Sequence, residues 1–416
     1  MAQLPLTNTG QRSAFFREGA LRNLRYWQAR LTDHQAGVSV SVEDHNNLLR
    51  SVTMALPLAE AWPLLFEIVT GFLPLLERRG QWEAGHWAVT HTLEAAHRRQ
   101  DGAAEVTLTA LVARLLFQQS RYQASVRAYR QVIRLARQIG DEFNEARAYT
   151  NLGYHFIEQG RWQRAEILCV HALHLFEQLN SNHGRAHTEN HLGILYTRQH
   201  CWGKAQQHLE QACRIWQDMG DEHGLMRGYL NMGGLYNDAG QPASALPYLA
   251  KALQLARRTQ EDITIGRVYL NMGKAYRLTG KLDKAESCIR QAEDIFQHYA
   301  NLSELTRVWN ELGLLYGQQG RWPEASAYLA KSLKIWRQQQ VKFEEIELLL
   351  DITECELQQS NLPQAAARLR EVERIIGATS GQGAYRHFLP RLHHYRHTLQ
   401  KGLTEKKMTP SGICQV

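Results

Sequence analysis

Residues 227–245 read RGYLNMGGLYNDAGQPASA. Gly233 is small at a point where a neighbouring helix must come close, and Tyr236 adds a large ring three residues on, along the same helical face. Gly240 suits a left-handed helix stop, and Ala245 is small again in the segment that follows. The stretch therefore predicts two helices packed as a hairpin. The same order returns every forty residues: NLGYHFIEQGRWQRA from 151, HLGILYTRQHCWGKA from 191, NMGKAYRLTGKLDKA from 271 and ELGLLYGQQGRWPEA from 311. Weaker copies are DITECELQQSNLPQA from 351, LVARLLFQQSRYQAS from 111 and GFLPLLERRGQWEAG from 71. Repetition at a fixed period of this size marks an array of stacked units.

One unit carries its own packing instructions. Gly153, Gly193, Gly233, Gly273 and Gly313 give close approach, followed by Phe156, Tyr196, Tyr236, Tyr276 and Tyr316 as large partners. Gly160, Gly240, Gly280 and Gly320 stop the first helix, and Ala165, Ala205, Ala245, Ala285 and Ala325 keep the second close. Trp162, Trp202 and Trp322 are expected to fill the corner of their own hairpins. Gly140-Asp141 and Gly220-Asp221 read as a stop followed by the N-cap of the next unit. Each hairpin buries its apolar face only against its neighbours, so the expected product is a solenoid.

The order Leu152-Gly153, Phe156, Gly160, Ala165, Ala172 resembles the tetratricopeptide repeat, in the forty-residue variety of the Leu-Gly-Asn repeat adaptors and many bacterial regulators. That resemblance implies an all-α, right-handed superhelix of about eight hairpins over 71–375, with the first helices lining its concave side. Residues 12–70 read as an N-terminal helical region, opening with the long amphipathic RSAFFREGALRNLRYWQARL. Its Glu43, Asn47 and Leu48, with Trp82, are similar to the start of the sensor arm in bacterial STAND-type signalling ATPases. No GxxxxGK[ST] occurs, so the ATPase would be a separate partner. Residues 1–11 are expected to be a flexible start, 383–401 a capping helix and 402–416 a disordered tail.

Composition bounds the setting. Hydrophobic residues are 44% and charged residues 21%, ordinary for a folded soluble chain. The start lacks a signal-peptide pattern, and the longest apolar stretch, AWPLLFEIVTGFLPLL (61–76), is interrupted by Pro63, Glu67, Gly71 and Pro74. Six cysteines without a CxxC pair argue against zinc or a disulfide framework. The expectation is a cytoplasmic protein with no membrane segment. Its net charge of +7 admits acidic partners without requiring nucleic acid.

The chemistry search returns little. There is no GxSxG and no HExxH, and His393 and His397, four apart near the C-terminus, have no third ligand in view. Neither enzyme activity nor a cofactor is expected.

One stripe is not explained by packing. Six residues before the small glycine stand Arg147, His187, Arg227, Arg267 and Arg307, and then Glu347. Two before it stand Asn151, His191, Asn231, Asn271 and Glu311, four residues further along the same helical face. By the tetratricopeptide resemblance these positions point into the concave groove, joined by Tyr154, Asn190, Asn237, Lys274, Arg277 and Asn310. Stacked like charges repel unless something sits between them. Arginine grips carboxylates with two donors, and asparagine can hold a peptide backbone through donor and acceptor. The expected function is a non-catalytic scaffold binding a peptide or protein segment, acidic segments included, in signalling or regulation. Two alternatives stand beside it: a helical-repeat nucleic-acid binder, and a sensor module working with a separate STAND ATPase or effector. Against the first, the aromatics sit at packing positions rather than among the basic residues. Against the ladder itself, each arginine could pair with a local acid such as Glu145, Asp221 or Glu304, and the asparagines could bond to the adjacent repeat.

Overall fold

The computed structural model describes residues 9–35, 42–78, 82–119, 121–378 and 383–408. Among them every regular element is helical. The chain forms two compact units, residues 1–149 and 150–416.

The first unit opens with α1 (Thr9–Gln35), α2 (Val42–Ala55) and α3 (Trp62–Arg78), followed by α4 (Trp82–Arg99), α5 (Gly102–Gln118) and α6 (Tyr122–Ile139). Its core gathers Leu24, Trp27, Leu48, Val52, Leu65, Ile68, Phe72 and Leu108, all nearly or fully buried. Trp27 donates its indole N–H to Ser51 Oγ at 3.0 Å, which satisfies the one polar atom of a buried ring. The helical start expected at residue 12 begins at Thr9; residues 1–8 lie outside the described residues.

The boundary between the units falls within α7 (Glu142–Glu158). The hairpins continue as α8 (Trp162–Gln178), α9 (Asn182–Arg198), α10 (Trp202–Asp218), α11 (Glu222–Asp238) and α12 (Pro242–Arg258). After these come α13 (Asp262–Leu278), α14 (Leu282–His298), α15 (Leu302–Gln318), α16 (Trp322–Gln339), α17 (Lys342–Gln358) and α18 (Leu362–Ala378). A short 3-10 turn, Gly383–Phe388, leads into α19 (Leu389–Met408). The capping helix thus runs past the expected 401, so 402–408 is helix rather than tail; 409–416 lies outside the described residues.

The repeat glycines do what their size suggested. A Cβ on Gly193 would lie 2.5 Å from Leu209 Cγ, and one on Gly313 would lie 2.6 Å from Leu329 Cγ. The first helix therefore rests directly on the second. Ala165, Ala205, Ala245, Ala285 and Ala325 are fully buried in the same contacts. Gly184 and Gly224 do the same job one layer on, against Phe176 and Trp216 of the preceding hairpin. Asp221 and Ser181 cap their helices by accepting from Gly224 and Gly184 backbone N–H groups.

The stops follow a twenty-residue beat. Gly140, Gly160, Gly220, Gly240, Gly280 and Gly320 are left-handed, as the sequence indicated. Gln100, Asn180, His200, Gln260, Ala300, Gln340 and Ser360 adopt the same conformation without being glycine. Asparagine at 180 is a local signal for such a stop; at the other six positions the register of the array imposes the turn.

Candidate functional site

The first helices of the second unit, from the C-terminal part of α7 to α17, supply one shared interior. Tyr154 of α7 feels Glu158, Arg198 of α9, Arg267 of α13 and Arg307 of α15. Asp238 of α11 feels Lys274 and Arg198. Arg307 feels Glu158, Glu304 and Glu344 of α17. Side chains from six helices therefore line a single lumen.

The rung Arg227–Asn231 sits in the wall of this lumen. Arg227 is exposed, and its Nε donates to the His223 carbonyl of its own helix at 3.3 Å. Asn231 Nδ2 donates to Asn190 Oδ1 at 2.8 Å on the preceding first helix, and Asn190 is buried. Beside them His191 stacks on Tyr154, with ring centroids 4.9 Å apart, and its Nδ1 lies 3.3 Å from the Thr150 carbonyl. His187 lies edge-on to Trp216 at 5.4 Å. Burial, then the Arg227 charge, pushes the His187 imidazole down to about 2. Burial pushes His191 to about 4, with Arg227 adding to the effect against a bond to the Thr150 carbonyl. Both rings are neutral at pH 7. This end of the lumen is polar, aromatic and lightly charged.

The other end is densely charged, and its charges are matched. Arg267 Nε donates to Glu304 Oε1 at 2.7 Å, and Lys274 Nζ to Asp238 Oδ1 at 2.7 Å. Arg277 Nε donates to Glu311 Oε2 at 3.0 Å with both residues buried. Arg307 reaches Glu158 at 3.1 Å, and Arg198 reaches Glu344 at 3.6 Å. Burial works against charge at Glu304, yet Arg267 and Arg307 hold its carboxyl below the usual range. Glu347, at the arginine position of the last repeat, goes the other way. Burial, with Glu344 and Asp351 beside it, pushes it up to about 8.

These pairs revise the expectation that the stacked arginines repel unless a ligand separates them. Arg267 and Arg307 each find a carboxylate of this chain, so these two rungs are neutralised from within. The asparagines divide. Asn237 is buried and donates to the Asn271 carbonyl at 2.9 Å, and Asn271 Nδ2 donates to the Arg267 carbonyl of its own helix. Asn190, Asn237 and Arg277 thus tie neighbouring repeats together and do not present a surface. Asn151 and Asn310 are half-buried on α7 and α15, and Asn310 Oδ1 is buried with no hydrogen-bond partner. Arg147 belongs to the first unit, where burial and then Arg114 lower its pKa. The structure assembles the remaining ladder residues in the second.

Sequence reasoning overlooked Glu158, Arg198 and Asp238. A signal existed: they stand forty residues apart in one register, each at the last turn of a first helix. Tyr154 and His191 were singled out, but not their stacking. Among the described residues no group of three or more His, Cys, Asp or Glu side chains is placed to hold a metal, and no helix is long and apolar enough to cross a membrane.

The tetratricopeptide repeat family profile matches residues 104–168, 144–218, 224–298 and 304–376. The chain belongs to the tetratricopeptide repeat family. No curated protein matches it in sequence. Among solved structures, a Rap protein complexed with competence and sporulation factor is similar at a TM-score of 0.65 and 14% identity, over 88% of this chain and 99% of that one. The quorum sensor NprR from B. thuringiensis, in its apo form, is similar at 0.51 and 15%, over 86% and 99%. A STAND protein with a tetratricopeptide repeat sensor from Pyrococcus horikoshii gives 0.51 and 16%, over 88% of this chain and 53% of that one. The chain thus spans about half the length of the STAND protein. At these identities the likeness is one of fold.

Proposed function

We propose that the second unit is a non-catalytic regulatory scaffold that takes an extended peptide, or an extended segment of a protein, into its lumen. The observation that carries this reading is the segregation of surfaces. Apolar faces are consumed in stacking repeat on repeat, while Tyr154, His187, His191, Arg227 and Asn231 face one interior as a polar, aromatic wall. Aromatic faces grip side chains, and amide and guanidinium groups grip a backbone or a carboxylate. The complex of a Rap protein of the same fold with competence and sporulation factor supports a regulatory ligand in such an array.

The internal ion pairs narrow the partner. A uniformly acidic segment would have to displace Glu304, Glu158 and Asp238 from their bases. A segment of mixed polarity, with a single carboxylate among neutral side chains, does not. The test is selection of binders to the full chain from a random-peptide display library, followed by titration of the selected peptide against Arg227→Glu and Asn231→Ala. Loss of affinity of about tenfold or more in each variant is expected. Equal affinity for wild type and both variants rules the lumen out as the site.

A further inference from the structure

The second unit comes back on itself. Arg307 of α15 meets Glu158 of α7, 149 residues earlier in the chain. Beside that contact, Trp162 at the start of α8 lies 5.6 Å from Phe343 and 6.1 Å from His387 between ring centroids. His387 also stacks on Phe343 at 5.1 Å and lies 5.2 Å from His200. On the inner side Arg198 reaches Glu344. A line of contacts between the α7–α9 end and the α15–α17 end thus closes the lumen along one flank.

This seam differs in kind from every junction between successive hairpins. Those junctions are helix against helix, with fully buried Ala, Leu, Phe and Trp side chains. Across the seam the contacts are made by side-chain tips, ring on ring and arginine on carboxylate. Of its rings Phe343 is buried, Trp162 and His387 are half-buried and His200 is exposed, and its arginines Arg198 and Arg307 keep 28% and 38% of their side-chain surface in water. Solenoids are held by nearest-neighbour interfaces, and a contact between distant repeats is an addition to that sum. It can part without unfolding any repeat.

We propose that this seam is a gate through which the lumen is loaded from the side, with Arg307–Glu158 and Arg198–Glu344 as its inner catch and the Trp162–Phe343–His387–His200 rings as its outer one. The inference rests on the reading of the lumen as a binding site, and it adds how that site is reached.

A covalent lock tests it. A Cβ on Gly160 would lie 3.7 Å from Phe343 Cβ, the separation found in disulfides, so Gly160→Cys with Phe343→Cys in the full chain should bridge the seam on oxidation. Cys201, exposed next to His200, is replaced by serine in that background. With the library-selected peptide as probe, the oxidised lock is expected to bind about tenfold more slowly or worse than the same variant reduced, in which the outer catch is absent. Equal association rates for the oxidised and reduced forms of this variant overturn the gate.

A second measurement needs no ligand. Spin labels at Gln163→Cys and Lys342→Cys, with Cys201, Cys213 and Cys414 as serine, report the width of the seam by pulsed dipolar spectroscopy. Glu158→Gln with Glu344→Gln should shift the distance distribution outward. A distribution that does not move shows that these pairs are not a catch. If no peptide binds any form while the distances still respond, the binding reading fails and the opening of the seam stands apart from it.

Discussion

Arg267 and Glu304 stand on neighbouring first helices, with Nε 2.7 Å from Oε1, and the carboxylate side keeps only 8% of its surface in water. The pair turns one rung of the arginine ladder into part of the wall. Arg227, at the same position one repeat earlier, is exposed as Arg267 is, and its Nε donates to a carbonyl of its own helix. Two arginines that are interchangeable in the sequence therefore differ in what they hold.

Charge reversal separates them. Arg267→Glu leaves Glu304 buried beside a new carboxylate and should cost about 2–3 kcal/mol, since the buried carboxylate loses its hydrogen-bonded arginine and keeps only the attraction of Arg307. Arg227→Glu should cost less than about 1 kcal/mol, as surface charges do. Thermal melts at equal ionic strength check this. Equal losses in the two variants would show that Glu304 does not depend on Arg267.

The left-handed stops give a second prediction. Ala300 and Gln260 hold φ values of 48° and 54°, where a side chain is strained. Ala300→Gly and Gln260→Gly should each stabilise the chain by about 0.5–1 kcal/mol, because glycine takes this conformation freely. Gly240→Ala, at φ 72° in the same type of stop, should destabilise it by a similar amount. Chemical denaturation midpoints read all three.

How much of this was legible follows from how far each interaction reaches along the chain. Gly193 against Leu209 spans sixteen residues and repeats, so periodicity exposed it. Asn231 to Asn190 spans 41, one repeat, and was foreseeable only as a choice between ligand and neighbour. Arg307 to Glu158 spans 149 and depends on how the whole array curves, which no local pattern encodes. The same holds for Trp162. The sequence placed it in the corner of its own hairpin, and the structure adds Phe343 and His387 as partners. Apart from Asn180, the non-glycine stops stayed hidden because their residue types carry no left-handed preference, while the fixed spacing of the helices was what set the turn.

The neutral histidines predict an acid response. An unfolded histidine takes its proton near 6.5, whereas His191 does so at about 4 and His187 at about 2. As pH falls below 6.5 the unfolded chain binds more protons than the folded one, so stability declines through about 4 for His191 and further for His187. Above 6.5 the two rings add no pH dependence. His191→Asn, which installs the residue found in this register at 151, 231 and 271, should recover about 2 kcal/mol at pH 4 relative to wild type and change little at pH 8. Melting curves at the two pH values decide it, and a parallel shift at both would mean that titration of His191 is not the cause.

Glu347 predicts the opposite slope. Its carboxyl protonates at about 8 in the folded lumen because burial, Glu344 and Asp351 all oppose its charge; an unfolded glutamate does so near 4.5. Between those values the folded chain binds the extra proton, so the stability present below 4.5 is lost as pH rises through about 8. Glu347→Gln keeps the shape and removes the titration. It should match wild type at pH 4.5 and exceed it at pH 8.5 by about 1–2 kcal/mol, with the charge partly screened by water in the half-buried site. The same group offers a reading on the ligand. An occupant that brings a cation to Glu347 favours the ionised form and expels a proton, so calorimetric binding enthalpies at pH 7 should vary with the ionisation enthalpy of the buffer. In Glu347→Gln that variation should vanish. Enthalpies independent of buffer in the wild type would show that the occupant leaves Glu347 protonated.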